Sequence, residues 1–99
     1  MNIKLGNINN SLFIRSLGSR LRLEIEDKLK KGEFVCFDFS DVDFVSHSFA
    51  DDCFGKLLLK WDINELKKQT TFINTNALIK NTISFTFKER IQKVLSTAS

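Results

Sequence analysis

Ser46, His47 and Ser48 stand in a row inside a stretch that also carries Asp38, Asp41, Asp43, Asp51 and Asp52. A hydroxyl beside an imidazole suggests nucleophilic catalysis, in which the base takes the hydroxyl proton as attack begins. Sequence neighbours rarely reach that geometry, and no oxyanion donors are identifiable, so the chain is not expected to be an enzyme. The aspartates and His47 could instead ligate a cation, but the stretch lacks the EF-hand order and its closing glutamate. Solvated turn acids are expected, with no metal and no cofactor. The glycines, Gly6, Gly18, Gly32 and Gly55, lie too far apart to form a phosphate cradle.

Two further chemistries suit the hydroxyls. Ser48 with Asp51 fits the capping box, in which the serine oxygen accepts a backbone N–H at a helix start and the carboxylate reaches back. That predicts Ser48 as the N-cap of a helix, worth ~1 kcal/mol. The same hydroxyl is a candidate for phosphorylation, because a helix start offers N–H groups and a positive dipole end to an anion. Asp51 and Asp52 would oppose such a phosphate by repulsion, which makes a switch.

The surrounding elements must present this junction. "NIKLGNI" alternates briefly as a strand. Ser11 is placed to cap a helix whose apolar positions Ile14, Leu17, Leu21, Ile25 and Leu29 step by three or four, with Gly32 ending it. "EFVCFDF" is nearly continuous in Phe34, Val35, Cys36, Phe37 and Phe39, which predicts a central strand covered on both faces. From Phe49 to about Trp61 the spacing is helical through Ala50, Cys53, Phe54, Leu57 and Leu58, with Gly55 allowing close approach to the sheet. The segment 70–74, "TTFIN", is a short strand after the polar "LKKQ". Thr75 or Asn76 caps a last helix through Ile79, Ile83, Phe87, Ile91 and Leu95. The order β-α-β-α-β-α predicts an α/β fold, a small and mostly parallel sheet with packed helices.

With 99 residues and 42% hydrophobic content the chain suits a single domain, 1–99. Its net charge of +3 is too even to mark a nucleic-acid binder. All five aspartates of the stretch fall between Phe37 and Gly55, where there is no Lys or Arg, so an acidic contact rim is expected. Cys36 and Cys53 match no zinc spacing and are expected to be buried thiols. The longest wholly apolar run, Leu57 to Leu59, is far short of a membrane span, and a cytosolic protein is expected. Arg15 and Arg22, seven apart, share a helix face with Arg20 nearby. They supply the alternative reading, a nucleic-acid or phospholigand site completed by the basic last helix.

In layout the stretch resembles the STAS domains, the fold of anti-sigma factor antagonists and of the cytoplasmic tails of sulfate transporters. Those domains carry an apolar strand ending near Asp or Asn, a short loop, and Asp-Ser-Ser/Thr-Gly at a helix start. Here Asp38 ends the strand, Val42, Phe44 and Val45 lie in the loop, and Ser48 takes the place of the phosphorylatable hydroxyl. The residues "DFSDVDFVSHSFADD" follow more closely the "DFxxVxxxSxSFxDE" core of a bacterial STAS-like family of unassigned role, with Asp52 at the usual Glu. The resemblance implies a non-enzymatic regulatory module in bacterial signalling. It also implies a protein partner, a histidine-kinase-like ATPase or a serine kinase. Ser46 stands where STAS domains have Asp and Phe49 where they have Gly, and a buried Phe49 would fix the helix start. The expected contact residues are Ser46, His47, Ser48, Asp51 and Asp52, with Ser48 as the switch.

Overall fold

In the computed structural model, which describes residues 1–98, the apolar run after Gly32 becomes strand β3, Val35–Asp38. It is the central strand of a three-stranded, wholly parallel sheet. One neighbour is β1, Asn2–Lys4, with Ile3 opposite Phe37. The other is β5, Thr70–Ile73, with Phe72 opposite Phe37. Two two-residue strands, β2 (Ser11–Leu12) and β4 (Phe44–Val45), pair in parallel beside it. The helices are α1 (Arg15–Lys30), α2 (His47–Cys53), α3 (Ile63–Gln69) and α4 (Ala77–Ala98). The α/β class, the parallel sheet and the central strand match expectation.

The sheet is covered on one face. Val35, Phe37 and Phe39 are buried, whereas Cys36 and Asp38 on the other face are only half-buried and Phe34 is exposed. Coverage of both faces was expected for this strand. It fails because α1 packs against α2 rather than under the second face. For the same reason Cys36 is half-buried, while Cys53, on α2, is fully enclosed and its thiol is pushed well above the ordinary 9.0 by burial. Both thiols are free.

The core is phenylalanine. Phe37 stacks on Phe72 at 5.0 Å between centroids, and Phe54 meets both rings edge-on at 5.0 and 5.3 Å. Phe49, buried at the start of α2, closes on Phe54 at 6.3 Å. Offset and edge-on pairs of this kind add about 0.5–1.5 kcal/mol each beyond their area.

Several element boundaries differ from expectation. Ser11 joins β2 instead of capping α1, whose N-cap, Ile14, makes no side-chain bond. The helix expected from Phe49 to Trp61 stops at Cys53 and continues as a 3-10 segment, Gly55–Leu59. Gly55 serves a close approach, but to α4: a Cβ there would lie 2.7 Å from Asp51 Oδ1 and 2.9 Å from Thr86 Cγ2. The polar "LKKQ" belongs to α3, whose N-cap Asp62 accepts from the Glu65 N–H at 2.8 Å. Gly32, at φ +77°, does follow α1, and Asn76 caps α4 by accepting from Ile79 N–H at 2.8 Å. Of the α4 stripe, Ile79 and Ile83 are buried, Phe87 and Ile91 half-buried, and Leu95 exposed. No helix among the described residues is long and apolar enough to cross a membrane.

Candidate functional site

The junction between β4 and α2 is built differently from the capping box. Ser46 is the N-cap: its Oγ accepts from the Phe49 N–H at 3.0 Å. Ser48 lies inside the first turn of α2, half-buried and free of a capping role. Asp51 does not reach back to the helix start, because Arg90 of α4 holds it. Arg90 Nη2 lies 2.7 Å from each carboxylate oxygen, and Nε donates to Oδ1 at 3.2 Å.

Asp52, the next residue, turns the other way, toward α1. Its Oδ2 pairs with Arg15 Nη1 at 3.0 Å, Lys56 Nζ closes on Oδ1, and Arg22 donates to its backbone oxygen at 2.6 Å. Its side chain is 2% exposed. Burial works against its charge, but Lys56 and Arg15 outweigh burial and hold the carboxyl below its ordinary 3.8. The pairing extends through Glu26, which meets Arg22 Nε at 3.8 Å and Lys60 Nζ at 3.2 Å.

The expected acidic rim is therefore absent at Asp51 and Asp52. Both are buried, and each fastens α2 to a neighbouring helix. Placing a buried carboxylate opposite a guanidinium satisfies a charge that would otherwise be costly to enclose. The same pairs engage Arg22, which is half-buried, and Arg15, which stays exposed, so two of the three arginines expected to form a free basic face on α1 are tied to Asp52; among the described residues Arg20 has no ion pair.

His47 lies apart from the serine hydroxyls. Its Nε2 meets Glu89 Oε1 of α4 at 3.1 Å, and its ring lies 5.6 Å from Phe85. No hydrogen bond among the described residues joins His47 to Ser46 or Ser48. Asp38 is also committed, since its Oδ1 accepts from Ser40 N–H at 2.9 Å, Ser40 Oγ at 2.7 Å and Asn74 Nδ2 at 2.9 Å. These donors, Asn74 first, hold its carboxyl at about 2.

At the surface the junction is apolar. Phe44 is 41% exposed and Phe85 58%, and with Val45, His47, Asn81 and Thr82 they line a shallow depression of about 310 Å³. Phe44 projects outward because Val45 takes the buried position of β4, and Phe85 because Ile83 and Thr86 face the core. Phe44 was legible in the sequence only as a loop residue, and nothing local marked Phe85 or Glu89 as neighbours of the junction. Residue 85 lies off the Ile79-Ile83-Phe87 stripe, which is the signal that would have marked an exposed phenylalanine.

A family model described as a STAS-like domain of unknown function (DUF4325) matches residues 18–80. The chain belongs to this family. The match takes in β3, the junction and β5, the elements that carry the resemblance noted above. No curated protein matches the chain, and no solved structure does. In this STAS-like domain the acidic pair that ends the core motif is structural, while Phe44 and His47 are exposed beside the half-buried Ser46 and Ser48.

Proposed function

We propose that this STAS-like domain is a non-enzymatic regulatory module that binds a protein partner in bacterial signalling through the β4–α2 junction. The supporting observation is the exposed Phe44–Phe85 pair flanking Ser46, His47 and Ser48. Exposed aromatic anchors ringed by polar groups are the usual composition of an interface centre. His47 is paired with Glu89 Oε1 at 3.1 Å, which supports a role in the surface of α2 and α4.

Ser48 is the switch residue of this reading. A phosphate there would add a charge of about −1.5 to −2 beside an apolar depression. Asp51 and Asp52 would not read that charge, because Arg90, Arg15 and Lys56 already balance them. The partner would read it, so phosphorylation alters docking and leaves the fold intact. A histidine-kinase-like ATPase or serine kinase is the partner the family resemblance favours.

The test is to incubate the protein with serine kinases encoded beside it, map phosphate by mass spectrometry, and compare partner binding of wild type and Ser48→Asp. Phosphate at Ser48 and altered binding by Ser48→Asp are expected. No modification together with unchanged binding would reduce Ser48 to a surface residue. The phospholigand alternative gains nothing from the geometry, since Arg15, Arg22 and Arg90 are engaged within the fold.

A further inference from the structure

A second surface, sharing no residue with the junction, lies along β5. A groove of about 350 Å³ runs between α3, β5 and α4, floored by Leu66, Phe72, Ile83 and Phe87. Thr71 and Phe72, adjacent residues that point to opposite faces of the strand, both line it. The groove therefore straddles the edge of the sheet.

That edge is open. In the order β1-β3-β5 the strand β5 has β3 on one side and, among the described residues, no strand on the other. Phe39 N–H donates to Ile73 O at 3.0 Å, so the main chain of Ile73 faces β3, and by ladder alternation that of Thr71 does too. Thr70 and Phe72 then turn their main-chain groups outward. The Thr70 N–H is taken by Leu66 O at the end of α3. What remains along the groove is the N–H and C=O of Phe72 with the carbonyl of Thr70, a short template for another strand.

We propose that this groove is a strand-addition site for a short, extended, acidic segment of a partner protein. Main-chain bonds to Phe72 would hold the segment, and its alternate apolar side chains would enter the groove. The charge selects the occupant. Lys67 and Lys80 flank the groove and no carboxylate lines it, so acidic residues on the outward positions of the segment would be favoured. A second copy of this chain is disfavoured by the same lysines, since pairing β5 with β5 would bring together the lysines of both grooves.

The test is selection of random peptides displayed on phage against the folded chain, with amide hydrogen exchange of the resulting complex. Enriched peptides should alternate apolar residues with Asp or Glu, and binding should slow exchange of the Phe72 amide. The double variant Lys67→Glu/Lys80→Glu, at two exposed positions and with circular dichroism matching wild type as the folding control, should weaken binding about tenfold or more. N-methylation of alternate peptide amides should abolish it, whereas Ser48→Asp should leave it unchanged. The inference is overturned by a lack of enrichment, by uncharged or basic winners, by a footprint at Ser46–Ser48, or by self-association through β5.

Discussion

One terminal nitrogen of Arg90 stands 2.7 Å from both carboxylate oxygens of Asp51, thirty-nine residues away in sequence, and so joins α4 to the middle of α2. Both side chains are largely buried, at 14% and 11% exposure. Removing one partner of a buried pair strands the other charge. Arg90→Ala is therefore expected to lower the unfolding free energy by about 3–5 kcal/mol. Urea unfolding should show an earlier midpoint with an unchanged slope, and adding Asp51→Asn should return part of the loss. A change below about 0.5 kcal/mol would show that the fork is not formed.

The same pair shows where the sequence stops being informative. Ser48 and Asp51 satisfy a local capping pattern, but the guanidinium that takes Asp51 comes from a distant helix whose placement no local spacing reveals. Ser46 lacks an acid three residues on, since Phe49 stands there, and yet it is the cap. Local features were legible: the Phe34–Phe39 run, Gly32 after α1 and Asn76 before α4 each act through their immediate neighbours. The helix α3 was missed because it has only Ile63 and Leu66 as apolar positions, too few for a period. Asp62 and Glu65, themselves a capping pattern, were the available signal. The strands β2 and β4 are two residues each, below what alternation can mark.

The two serines separate cleanly by stability. Ser46→Ala removes the bond to the Phe49 N–H and should cost ~1 kcal/mol, within the 0.5–2 range of N-cap losses. Ser48→Ala and Ser48→Asp should each stay within about 0.5 kcal/mol of wild type. Chemical denaturation of the three variants checks the assignment, and the reverse order would restore Ser48 as the cap.

Acid should weaken the contact that ties the turn after β3 to the end of β5. The Asp38 carboxyl is held at about 2 against an ordinary 3.8, with Asn74 the largest cause and Ser40 next. A folded value below the unfolded one means that the stabilisation is complete above 3.8 and is lost as pH falls toward about 2. Asp52, also lowered, adds to stability with the same sign. Following the Asp38 carboxyl by NMR should show an upward shift in Asn74→Ala. An unchanged titration would mean that Asn74 does not donate to it.

As proposed above, the β4–α2 junction is a partner surface whose occupancy Ser48 controls. A photo-crosslinking amino acid at position 47, with one at exposed Lys30 as control, would test it in the native host. We expect position 47, and not position 30, to capture a defined protein, and the capture to fall when Ser48→Asp or Phe85→Ala is added. Equal capture at both positions, or capture indifferent to both changes, would rule out the junction as that surface.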